Sequence, residues 1–189
     1  MPWECCYLEG MDKTNTTPTA HCPLTLILET RERRESLDDR VIQQALAGPV
    51  FILDAGNCFN PLRLTRRIRR QTIQIQTVLD RIRVARAFTC FQVISLLEAT
   101  TNPDGPVFIL RLLATYTDEM APVYERLRLL KQVDGHIQRL RRTAPVVVTI
   151  RSAQFQEDGL LEWVSQLQAR ADEVLLPTLE ILPEPATLF

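Results

Sequence analysis

The feature that most constrains this chain is a regular alternation of two kinds of segment. Short apolar runs, rich in β-branched residues and free of polar alternation, recur at Leu24 to Leu28, Val50 to Leu53, Ile82 to Ala85, Val107 to Leu110, Pro145 to Ile150 and Glu173 to Leu176. Runs of this length and composition suit strands that are covered on both faces. Between them, Leu37 to Ala47, Pro61 to Gln71, Phe91 to Thr100, Pro122 to Arg142 and Leu160 to Ala171 read as helices. In the longest, Val123, Leu127, Leu130, Val133, Ile137 and Leu140 return every three or four residues and form one apolar stripe. Pro61 falls where a helix start tolerates it, since the missing N–H would have no intrahelical partner there. Strands alternating with helices imply βαβ units, a mostly parallel sheet and helices on both faces: a three-layer α/β/α fold.

At 189 residues, 46% hydrophobic and 24% charged, the chain is expected to form one domain with a sizeable core. Residues 1–22 are rich in Thr, Pro and Asn and show no period, so they read as a flexible arm ahead of a domain at 23–189. No basic start followed by an apolar run marks a secretory leader, and no stretch reaches the length of a membrane span. Five scattered cysteines with no C-x-x-C spacing fit neither a zinc site nor a disulfide framework. The expectation is a cytoplasmic protein with reduced thiols, no metal and no membrane partner.

Two segments carry a likeness to a known family. Phe51-Ile-Leu-Asp-Ala-Gly-Asn-Cys-Phe-Asn-Pro-Leu-Arg-Leu64 resembles the RecA/RadA-type recombinases at their strand ending in D-T-E-G-T-F-R-P-E-R-L. Downstream, Ile82-Arg-Val-Ala-Arg-Ala-Phe88 is similar to that family's N-I-Y-V-A-R-A-F strand, and a helix ending in Leu96-Leu-Glu98 follows. The likeness continues through Pro106 to Leu112 at the Walker B strand and Val146 to Arg151 at the V-V-V-T-N-Q strand, then into Ala171 to Leu175. It implies a RecA-like core over Leu24 to Leu176 and a role in DNA recombination or repair.

The same likeness implies that the ATPase machinery is degenerate. The stretch matching Walker A, Glu29-Thr-Arg-Glu-Arg-Arg-Glu-Ser-Leu37, places Glu29, Arg31, Arg33 and Arg34 where glycines and a lysine would wrap phosphates. Lys13 and Lys131 are the only lysines; neither follows a glycine, and no two glycines stand five apart. The Walker B carboxylate falls on Arg111, where a cation would repel Mg²⁺. The water-activating Glu falls on Gly56, and the Asn-Gln pair that senses the γ-phosphate falls on Ile150 and Arg151. Asp54 remains at a strand end, a place where Asp commonly accepts loop N–H groups. Arg111 is expected to pair with Glu29, Glu32 or Glu35 in the vacated space.

The likeness therefore implies a noncatalytic recombinase paralog without a cofactor, acting as a scaffold or accessory factor that associates with itself or with a related RecA-like ATPase. A repair role would put it at the nucleoid or nucleus. The rival reading is a pseudo-ATPase adaptor in signalling or transcription control. A third, an enzyme of new type, would need a deep polar cavity around Asp54, Cys58 and Arg151, and no G-x-S-x-G or H-E-x-x-H motif supports it. Arg63, Arg66, Arg67, Arg69 and Arg70 crowd one helix and Arg139, Arg141 and Arg142 end another, which makes both candidate DNA or partner contacts. The stretches at the family's DNA-binding loops, Ala114 to Met120 and Ser152 to Gly159, carry acid rather than base.

Overall fold

In the computed structural model, residues 21–117, 121–151 and 158–176 are described. The flexible-arm expectation falls almost wholly on residues 1–20, and the two loop expectations fall in part on 118–120 and 152–157; these lie outside the described residues. Six strands form one sheet in which every pairing is parallel: β1 (Leu24–Glu29), β2 (Val50–Asp54), β3 (Ile82–Arg86), β4 (Val107–Leu110), β5 (Val146–Arg151) and β6 (Glu173–Leu175). Their spatial order is β3-β2-β4-β5-β1-β6. The helices are α1 (Arg31–Ala47), α2 (Pro61–Gln71), α3 (Ile75–Asp80), α4 (Cys90–Ala99), α5 (Val123–Leu140) and α6 (Asp158–Arg170), with a short 3-10 helix at Leu112–Thr115.

From β1 the chain crosses to β2 and on to the β3 edge, then returns through β4 and β5 to β6. Because parallel crossovers are right-handed, outward helices cover one face and returning helices the other. The core divides accordingly. Leu37, Val41 and Ile42 of α1, Leu64 and Ile68 of α2 and Val78 of α3 pack with Ile27, Ile52 and Phe108. Val93 and Leu97 of α4, Val133 and Ile137 of α5 and Trp163 and Leu167 of α6 pack with Leu26, Ile109 and Val148. Within each strand the alternate residues serve opposite faces, which is why the central runs are apolar throughout.

Four expectations are corrected. The run at β3 is not covered on both faces: Arg83, Val84 and Arg86 are exposed, because β3 is the outermost strand and no neighbour lies beyond it among the described residues. The stripe on α5 shifts in its first turns, where Val123 is exposed and Arg126 and Leu129 are buried, Arg126 donating from Nη1 to the Tyr116 carbonyl at 2.6 Å. The helix α3 was not expected; its few residues with one buried anchor, Val78, are too short to show a period. Most importantly, α1 begins at Arg31 rather than Leu37, leaving Thr30 as the sole residue between β1 and the helix. Other ends differ from the expected ones by one or two residues, and α2 has the expected bounds, set by Pro61 and by Asn60, whose Oδ1 accepts from the Arg63 N–H at 3.0 Å.

Candidate functional site

In an all-parallel sheet the carboxyl ends of the strands share one edge, so β1, β2, β4 and β5 bring Glu29, Asp54, Arg111 and Arg151 to the same side. This is where open α/β sheets bind ligands. Here the groups bond to one another. The Glu29 side chain is 3% exposed, accepts from the Thr149 hydroxyl at 2.6 Å through Oε1, and accepts from Arg111 Nε at 2.9 Å through Oε2. The Arg111 N–H in turn donates to Thr149 Oγ1 at 2.9 Å, closing a ring of hydrogen bonds across β1, β5 and the end of β4. Arg34 adds a longer contact from Nη2 to Glu29 Oε2 at 3.5 Å. Of the acids expected to pair with Arg111, it is Glu29 that does so.

Backbone geometry fixes the arrangement. Arg111 sits in the left-handed region at φ 48°, a conformation that L side chains rarely adopt, and turns the chain from β4 into the 3-10 helix. Its side chain then lies over Gly56, so tightly that a Cβ at position 56 would overlap the Arg111 stem. A glutamate at position 56 and the present Arg111 therefore exclude one another. The loop expected to match Walker A is also missing from the structure: the chain enters α1 directly after Thr30, and Arg31 and Arg33 lie on the first turn of that helix.

Asp54 is fully buried and engaged in its own loop. Its carboxylate accepts from the N–H groups of Cys58 at 2.9 Å and Phe59 at 3.0 Å, and Arg86 Nε lies 3.3 Å away. Asn57, at φ 47°, makes the turn that brings those donors back. The half-buried Cys58 thiol is pushed well above its ordinary range by burial, with the Asp54 and Glu29 carboxylates adding to the effect. A thiol so placed is a poor nucleophile. Arg151 ends β5 exposed.

The arginine clusters are divided by the fold. Arg63 clamps Asp38 through Nε at 2.6 Å and Nη2 at 2.9 Å. Burial pushes the Asp38 carboxyl up, with the bonded Arg63 guanidinium acting in the other direction. Arg67 holds Asp39 at 2.6 Å and Glu35 at 3.4 Å, so the inner side of α2 is an ion-pair seam with α1. Arg139 donates to the Thr100 and Leu97 carbonyls at 2.9 and 2.6 Å, capping the end of α4. Arg141, 8% exposed, reaches Asp172 at 2.7 Å and the Cys22 carbonyl at 3.2 Å. These four are engaged in bonds within the fold, with Arg63 and Arg67 still partly exposed. Arg66, Arg69, Arg70 and Arg142 remain exposed.

A groove of about 520 Å³ lies elsewhere, between α4 and the β3 edge, lined by Phe51, Arg83, Ala85, Leu96, Ala99 and Thr100 among others. The Arg83 guanidinium stands over the Phe51 ring at 5.1 Å and 3.7 Å from Asp104. Nearby on the chain, Val84, Phe88 and Phe91 are 42%, 62% and 51% exposed. Val84 lies on β3, whose edge position only the sheet order reveals, and Phe88 and Phe91 follow it into α4. No group of three or more His, Cys, Asp or Glu side chains suited to a metal occurs among the described residues. No helix among them is long and apolar enough to cross a membrane. No family model and no curated protein matches the chain.

Proposed function

We propose that this protein is a noncatalytic RecA-like recombinase paralog that serves DNA recombination or repair as a scaffold, associating with itself or with a related ATPase. The observation that carries the reading is the Glu29–Arg111 pair. At the carboxyl edge, where nucleotide and Mg²⁺ would sit, a buried carboxylate is already neutralised by a guanidinium and a hydroxyl. Releasing either partner leaves a buried charge alone, at about 3–5 kcal/mol. A phosphate entering beside Glu29 would meet that cost before making any contact of its own.

The recognition half of the reading draws on the opposite character of β3. An edge strand offers unpaired backbone N–H and C=O groups, and natural proteins use such edges for strand addition. Beside this one lie a groove and three half-exposed apolar side chains. Titration calorimetry with Mg²⁺-ATP is expected to give no saturable heat. Affinity capture from the native host, read by mass spectrometry, is expected to return this chain itself or a RecA-type ATPase. Saturable nucleotide binding lost in Asp54→Ala overturns the noncatalytic part; capture of signalling or transcription proteins alone overturns the repair part.

The adaptor reading stays in view on one observation. Half of the eight clustered arginines that suggested DNA contact are bonded internally. A gel shift that stays flat at low salt, beside a positive capture of a protein partner, selects it.

A further inference from the structure

The pattern Arg-Arg-x-Ser/Thr-aliphatic occurs twice in the chain, at Arg33-Arg34-Glu35-Ser36-Leu37 and at Arg69-Arg70-Gln71-Thr72-Ile73. Two guanidinia set just before a hydroxyl, with an aliphatic residue after it, make a charge pattern of the kind that protein kinases read with acidic substrate grooves. The residues alone rank the two stretches equally; the fold separates them. Ser36 lies within α1, where Arg34 reaches Glu29, Leu37 is buried and Asp38 is clamped by Arg63. Drawing that stretch out would pull Leu37 from the core, and a phosphate on Ser36 would join the carboxylates of Glu35, Asp38 and Asp39. Thr72 instead stands just past the end of α2, where the backbone is already extended at φ −152° and ψ 152°. Ile73 beside it is 96% exposed. Arg69 and Arg70 are exposed, and no hydrogen bond or ion pair engages either guanidinium among the described residues.

We propose that Thr72 is a phosphorylation site for an arginine-directed protein kinase. The Thr72 hydroxyl is half-buried; it accepts from the Gln74 N–H at 3.1 Å and donates to nothing among the described residues. Its oxygen would attack the γ-phosphorus of the kinase's Mg²⁺-ATP. The new O–P bond forms as the bond to the bridging β,γ-oxygen breaks, ADP leaves, and the hydroxyl proton passes to the kinase's catalytic carboxylate. Seating Arg69 to Ile73 in a groove opens only the last turn of α2, where the Thr72 N–H holds the Ile68 carbonyl at 3.0 Å and Gln71 touches Gln43 and Asp39 at exposed positions. Ile68, the last buried anchor of the helix, need not move. Opening at such an end costs far less than global unfolding. The product is also accommodated. A phosphate at a helix carboxyl end is repelled by the helix dipole, but here the unpaired guanidinia of Arg66, Arg69 and Arg70 stand within the preceding two turns to supply charge-assisted bonds. The site lies outside the vacated nucleotide edge and holds whether or not the chain belongs to a recombinase assembly.

The test incubates the whole folded chain with Mg²⁺-ATP labelled at the γ-phosphate and the catalytic domain of a serine/threonine kinase that requires paired arginines before its target. A second incubation replaces that kinase with a lysate of the native host. In both, one phosphoryl group is expected, mapped to Thr72 by peptide mass and lost in Thr72→Ala, whereas Ser36→Ala is labelled as the parent is. Arg69→Gln/Arg70→Gln, which keeps the hydroxyl, should slow labelling at least about tenfold, as the loss of two charge-assisted bonds requires. Far-ultraviolet dichroism of the variants should match that of the parent. A synthetic peptide from Arg66 to Gln76 serves as the positive control for the purified kinase. Four outcomes overturn the proposal: labelling of the peptide but not of the folded chain, which means that the fold withholds the site; labelling of Ser36 as fast as Thr72; labelling indifferent to Arg69→Gln/Arg70→Gln; or a host lysate that leaves Thr72 unlabelled.

Discussion

Two regions of one sheet handle polar groups in opposite ways. At the carboxyl edge, Glu29, Thr149, Arg111 and Asp54 are buried and bonded to one another or to their own loop. At the β3 edge, Arg83, Val84, Phe88 and Phe91 face solvent beside a groove. Closing a polar site internally makes it rigid and costly to open. Leaving an edge unpaired makes it available to whatever supplies the missing strand or side chains. The contrast puts stability in the first region and leaves the second the open one.

The sharpest way to break this contrast is at Glu29. Glu29→Ala strands the Arg111 guanidinium and Thr149 hydroxyl in a buried site and is expected to cost about 3 kcal/mol or more, lowering the melting temperature by roughly 6–12 °C for a chain of this size. The double change Glu29→Gln/Arg111→Met, which removes both charges, should recover most of that loss. Thermal denaturation of the three proteins decides it, and a Glu29→Ala protein as stable as the parent would mean that the edge is not closed by this pair.

Next in size is Asp54→Ala, which leaves the Cys58 and Phe59 N–H groups without their acceptor. A loss of about 2 kcal/mol by urea denaturation is expected, close to the cost of leaving buried donors unsatisfied. The β3 edge should behave in the opposite sense. Val84→Lys with Phe88→Lys changes exposed positions, so stability should move by less than about 1 kcal/mol while the proposed self-association, read by sedimentation, is lost. A large fall in melting temperature with association intact would reverse the assignment of the two regions.

The smallest effect lies between α4 and α5. His136, on the α5 side facing α4, has its pKa held below the usual 6.5 by burial first and by the Arg139 guanidinium second, with Glu98 opposing. A histidine whose folded pKa is depressed binds fewer protons folded than unfolded just below 6.5. Its contribution to stability is therefore present above that value and lost as the pH falls through the depressed one. Replacing His136 with Gln should flatten the fall in melting temperature below pH 6.5 and leave neutral-pH behaviour nearly unchanged.

Much of this molecule was legible in the order of its residues. Apolar runs flanked by amphipathic segments determined the parallel sheet with helices on both faces, since strands buried on both sides cannot tolerate polar alternation. The lack of glycine and lysine just after β1 and the arginine at position 111 could be read directly from the residues. What sequence could not decide is which charges meet. Whether Glu29, Glu32 or Glu35 answers Arg111 depends on α1 starting at Arg31, and that is a matter of chain geometry in space. Whether an arginine is internal or free depends on which helix packs beside it, so Arg63 and Arg67 were indistinguishable from Arg66 and Arg70 until α1 lay against α2. The exposure of β3 likewise follows from strand order, a long-range property whose local mark is the pair of arginines, Arg83 and Arg86, in the run. Periodicity is written along the chain within a few residues, whereas ion pairing and edge position arise between segments far apart in it, and only the tertiary structure brings those together.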